Sequence, residues 1–124
     1  MKTLIIEATN YSPRMEMNAK GEITIRGKSI VEDAVKFYTP VFRWVRSSTF
    51  STMKVKIKID YMNNSSSKQI FNLLNLIRHN RHIKNVYISW YFETGDDGLL
   101  ELGKEFESRL NLPFDFLQYS TLAF

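Results

Sequence analysis

Asn63, Asn64, Ser65, Ser66 and Ser67 follow one another without a break, and Lys68 closes the run. A hydroxyl can take a phosphoryl group, and an amide or hydroxyl can cap a helix. The run stands where the apolar period changes. Before it, in MKVKIKIDY, apolar residues alternate; after it, Ile70, Leu73, Leu74 and Ile77 recur at helical spacing. A helix amino terminus exposes unpaired N–H groups and partial positive charge, so hydroxyls placed there sit where an anion is stabilised, whether bound or added covalently. One residue is enough to cap a helix. Two readings therefore stand together: a generously capped helix, and a site for phosphate.

Other chemistry-bearing groups read more simply. His79 and His82 lie in RHNRH beside Arg78, Arg81 and Lys84, a basic helix end that complements the helix dipole, and cationic neighbours disfavour a metal. Glu93, Asp96, Asp97 and Glu101 could hold a cation or form an acid/base pair, but carboxylates at a helix start need no other cause. The chain has no cysteine and shows no Gly-rich phosphate loop, nucleophile elbow or HExxH. No catalytic residue, metal or cofactor is expected, and the chain reads as no enzyme.

Composition bounds the partners. The 124 residues, 44% of them hydrophobic and 14% aromatic, suffice for one domain spanning 1–124 with a packed core. From Lys36 to Lys84 the only acid is Asp60, whereas Glu93 to Asp115 is dominated by acids. That asymmetry can steer a charged protein partner, while a net charge of +4 gives little for phosphate tracking, so no nucleic-acid partner is expected. No apolar run is long enough to span a bilayer and no signal-peptide pattern opens the chain, which makes a cytoplasmic location, with no membrane partner, the expectation.

The elements that must position the run can be read in order. Thr3 to Ala8 is a first strand, and MEM and EITIR flank the turn NAKG as a hairpin. Gly27 should end that strand, and Ser29 with Glu32 has capping-box spacing, so a helix is expected from Ile30, with an apolar stripe of Ala34, Phe37, Tyr38, Val41, Phe42 and Val45 kinked at Pro40. The strand MKVKIKIDY should turn Val55, Ile57, Ile59 and Tyr61 inward and Lys54, Lys56, Lys58 and Asp60 outward. After the helix that follows the serine run come the strand NVYISWYF, a helix from Asp96 or Asp97, and a last strand FDFLQY. This gives an α/β domain in the order β-β-β-α-β-α-β-α-β, a single mixed sheet of about six strands. Charge at every second position of the lysine strand leaves one face wet, so all the helices should lie on the other.

Taken in sequence, GKSIVED, FYTPVFRWV, YMNNSSSK, WYFETGDD, LGKEF and LPF resemble the SiaC family of biofilm-regulation phosphoproteins. The resemblance runs from about Ser12 to Phe114 and is most specific in the tyrosine, asparagine, serine-run and lysine pattern. It implies a STAS-like fold similar to anti-sigma-factor antagonists, and a partner switch in cyclic-di-GMP signalling. A serine/threonine kinase with a histidine-kinase-like fold would phosphorylate the junction, a PP2C-like phosphatase would reverse it, and the unphosphorylated form would bind and activate a diguanylate cyclase. Carried over by position, Asn63 matches the motif asparagine, Ser65 and Ser66 the serines, and Lys68 a frequent lysine. The phosphorylated threonine of the family falls at Asn64, which cannot accept phosphate; Val31 and Asp33 stand where the family usually has proline and asparagine. Ser65 and Ser66 become the acceptor candidates, with Asn63, Asn64, Ser67 and Lys68 as the partner-binding junction. The alternative is a constitutive protein-interaction module without phosphate switching.

Overall fold

The computed structural model describes residues 1–121. Its strands are β1 (Leu4–Ile6), β2 (Arg14–Met17), β3 (Glu22–Ser29), β4 (Thr52–Met62), β5 (Asn85–Glu93) and β6 (Phe114–Tyr119), and its helices α1 (Ala34–Arg46), α2 (Asn64–His79) and α3 (Asp97–Leu110). The six strands form one sheet in the order β1-β2-β3-β4-β5-β6. Pairing is antiparallel across β1, β2 and β3 and parallel from β3 to β6. This is the mixed sheet expected from the sequence.

Each strand is added at the same growing edge, so right-handed crossovers carry the three helices over one face. Met15, Met17, Ile23, Ile25, Val55 and Ile57 are buried beneath them, while Lys54, Lys56 and Lys58 are exposed on the other side. The helix α2 lies in the middle, packed on both α1 and α3. Its Ile70, Leu73, Leu74 and Ile77 are all fully buried, and each contributes about 1.5–3 kcal/mol relative to exposure. Trp90 anchors the other end: its indole N–H donates to the Leu99 carbonyl at 3.1 Å, and its ring meets Phe106 edge-on at 5.4 Å. Gly103 of α3 lets that approach happen, since a Cβ there would stand 2.6 Å from Trp90 Nε1.

Three local expectations are corrected. Gly27 does not end β3, which continues to Ser29; the glycine takes φ 116° where the β3–β4 register shifts. The first helix starts at Ala34 rather than Ile30, capped by Asp33, whose side chain accepts from Lys36 N at 3.1 Å. Ser29 cannot cap, because it ends the strand with its hydroxyl committed to the interior. Pro40 sits inside α1 without ending it.

Tyr61 is the third. It was expected inward with Ile59, yet it is 66% exposed. Gly27 pairs with Ile59 and Lys28 with Tyr61, so Asp60 is one residue too many on β4. Such a bulge reverses the alternation. Asp60 and Tyr61 both leave the core side, and Met62 returns to pack against it.

Candidate functional site

The polar run begins two residues after Tyr61, with Met62 between. Asn63 is the amino-terminal cap of α2, with φ −75° and ψ 168°. Its Oδ1 accepts from Ser66 N at 2.9 Å and from the Ser65 hydroxyl at 3.2 Å, while its Nδ2 donates to the Val31 carbonyl at 3.0 Å. Its backbone N–H donates to the Ser29 carbonyl, also at 3.0 Å. One asparagine thus closes the helix end and ties it to the β3–α1 connection. The capping part follows from residue type; the tether could not be read from sequence, because Val31 lies 32 residues away.

The serines of the run separate by position on the helix. Ser66 is fully buried. Its hydroxyl accepts from Ser29 at 2.8 Å, and the Ser29 oxygen lies 2.6 Å from the Tyr38 hydroxyl, which donates to it once the Ser29 proton is used. Three hydroxyls from α2, β3 and α1 therefore form one interior chain. Burial pushes the Tyr38 phenol up to about 12, with the Ser29 contact pulling the other way. Ser65 and Asn64 are exposed, Ser67 is half-buried, and Lys68 is exposed one turn on. Asn64, Ser67 and Lys68 also border an open groove between α2 and α3 with Phe71 and Arg109, whose guanidinium stacks 4.2 Å above the Phe71 ring.

The electrostatics at this end favour an anion. The first turn of α2 carries no acid, so the partial positive charge of the helix start is uncompensated by its own side chains. The N–H groups of Asn64 and Ser65 have no acceptor a turn earlier within the helix. A phosphate on Ser65 would lie beside both, and within helical reach of Lys68. On Ser66 the same group would have to enter the packed interior. Of the two acceptor candidates, only Ser65 presents its hydroxyl to solvent.

Ser29 and Tyr38 were not singled out as site residues by sequence. The signal for Ser66 was there: it stands four residues before Ile70, on the buried stripe of α2. The other groups fall away from the junction. His79 donates from Nδ1 to the Asn75 carbonyl at 2.8 Å at the basic end of α2. Asp96 caps α3, accepting from Leu99 N at 3.0 Å, and among the described residues no three His, Cys, Asp or Glu side chains gather as a metal site. No helix of the described residues is long and apolar enough to cross a membrane.

Comparison with known proteins adds to this geometry. Residues 6–119 match the model of the SiaC family, described as a regulatory phosphoprotein. An uncharacterised protein of Pseudomonas aeruginosa strain UCBPP-PA14 is 23% identical over 119 residues, 92% of this chain and 94% of that protein. Two crystal structures from Pseudomonas aeruginosa share the fold. One is diguanylate cyclase SiaD in complex with its activator SiaC, where the similar chain has TM-score 0.84 and 21% identity, covering 94% of this chain and 99% of that one. The other is apo-SiaC, with TM-score 0.83, 22% identity and the same coverage of 94% and 99%.

Proposed function

The chain belongs to the SiaC family of regulatory phosphoproteins, and from that premise we propose that it is a signalling adaptor whose docking surface is switched by phosphate on Ser65. The observation that carries this reading is the division of hydroxyls at the start of α2: Ser65 exposed, Ser66 locked inside, and no acid in the first turn. A kinase would transfer the terminal phosphoryl group of ATP to Ser65 Oγ, displacing ADP and releasing the hydroxyl proton. The hydrogen bond from that hydroxyl to Asn63 Oδ1 would be lost. In its place about 1.5–2 negative charges would stand at the start of α2, next in the chain to Asn64 on the α2–α3 groove.

The unphosphorylated surface is the one that docks an effector, and the complex of SiaC with a diguanylate cyclase makes a cyclase the effector to test first. A serine/threonine kinase of histidine-kinase-like fold and a PP2C-like phosphatase would set the phosphorylated fraction. A second reading rests on the resemblance itself, which sets Asn64, an amide that no kinase can phosphorylate, at the place of the family's phosphorylated threonine. A protein so altered would bind its effector constitutively.

Phosphate mapping by mass spectrometry after incubation with the cognate kinase separates the two. The switch requires incorporation at Ser65, lost in Ser65→Ala and kept in Ser66→Ala, and weaker effector binding by Ser65→Glu than by Ser65→Ala. If the natural chain takes no phosphate while Asn64→Thr does, the constitutive reading stands and the serines serve only the helix.

A further inference from the structure

The outward face of the sheet holds a group of side chains that the Ser65 switch does not use. Register places Arg14 of β2 opposite Arg26 of β3, and Arg26 opposite Lys58 of β4. Three cations thus share one row, on neighbouring strands about 4.8 Å apart. Like charges directly opposite destabilise a sheet. The neighbouring rows avoid this, with Glu22 opposite Lys54, and Glu16, Thr24 and Lys56 in succession.

Nearby carboxylates leave the row under-compensated. The Arg14 side chain keeps only 24% of its exposure, yet its partners Glu7 and Glu16 stand at 3.6 and 3.8 Å, beyond the roughly 2.7–2.9 Å of a charge-assisted hydrogen bond. The Lys58 ammonium lies over tyrosine rings instead, 4.5 Å from the Tyr119 centroid and 5.9 Å from that of Tyr91. Asp60 borders the row, its carboxylate accepting from the Tyr119 hydroxyl at 3.4 Å. Among the described residues, neither Arg26 nor Lys58 has a carboxylate within ion-pair distance.

The row also encloses space. Arg14, Arg26, Lys58 and Asp60 line an open depression with Ala8 and Gly27. At φ 116°, Gly27 gives it backbone without a side chain, and Asp60, outward like Lys58 by the alternation of β4, stands at its rim. Glu7 and Glu16 face Arg14 and Asp60 stands on the rim, but Arg26 and Lys58 have no carboxylate within ion-pair distance among the described residues, so two cations of the depression are left unpaired. That is the complement of a phosphate dianion rather than of a single carboxylate, and guanidinium forks suit phosphate oxygens.

We infer that the Arg14–Arg26–Lys58 row is a binding site for a small phosphate-bearing anion, on the sheet face opposite the helices. The test is titration of the 15N-labelled full chain with pyrophosphate at constant ionic strength, followed by amide shifts. Saturable shifts centred on Arg26, Gly27 and Lys58 are expected, with affinity falling at least about tenfold in the double variant Arg26→Gln, Lys58→Gln. The remaining spectrum of that variant should be unchanged, showing that it folds. Shifts that never saturate, or that persist equally in the variant, would overturn the site. An ADP arm distinguishes sources: tighter binding than pyrophosphate, with shifts spreading to Tyr91 and Tyr119, assigns a nucleotide, and equal binding assigns free phosphate. Binding of a single-stranded oligonucleotide with neither small ligand would overturn the proposal in favour of a nucleic-acid strand.

Discussion

Tyr38 has no solvent exposure and holds the inner end of the hydroxyl chain that runs through Ser29 to Ser66. Its phenol is raised from 10.0 to about 12 by burial, so the folded protein keeps a proton that the unfolded chain gives up first. The stability this represents is complete below pH 10, where both states are protonated, and is lost as pH rises through about 12. Tyr38→Phe should therefore flatten the fall in denaturation midpoint between those pH values, while costing about 1 kcal/mol at neutral pH for the lost hydrogen bond. Urea unfolding of both proteins at stepped pH measures this. The same residue shows what local pattern leaves out. Its place on the apolar stripe of α1 is plain from spacing, but its partners arrive from a strand end and a second helix. Ser29, with Glu32 three residues on, has the spacing of a cap, and only the folded chain shows that its hydroxyl is spoken for.

At the level of elements, α2 begins without an acidic side chain in its first turn to offset its dipole. Ser65→Asp puts a carboxylate there, and should raise stability by about 0.3–1 kcal/mol at low salt while weakening effector binding. Thermal melts and binding isotherms on the one variant would read both, and a loss of stability would contradict the electrostatic account of the junction. The contact of α3 with β5 is the opposite case, tight rather than open. Gly103→Ala brings a Cβ to within 2.8 Å of Trp90 Cδ1 and Cε2; it should cost about 1–3 kcal/mol by overpacking and change the Trp90 fluorescence. Strands β5 and β6, helices α2 and α3, and β4 as far as Ile59 were legible in the sequence because each keeps one period over that span. The end of β4 was not. A bulge belongs to a pair of strands, so nothing within KIDYM reveals that Tyr61 turns outward. That matters to the site, since the bulge sets the phase in which the chain reaches Asn63.

Over the whole molecule, charge alternation in β4 foretold the one-sided layering, with Lys54 and Lys56 left in water. Replacing both by glutamine should change stability by no more than about 0.5 kcal/mol, measured by chemical denaturation; a larger loss would mean that this face is covered. The strand order carries a consequence for how such a chain is made. Because position in the sheet repeats position in the chain from β1 to β6, no strand has to be inserted between two that are already joined. During synthesis each strand leaving the ribosome meets a finished edge and extends it, and the helix made just before it is already available to cover the seam. Assembly can keep pace with translation from the first hairpin onward, with a single growing edge at any moment, and only the three-residue β1 standing at the other.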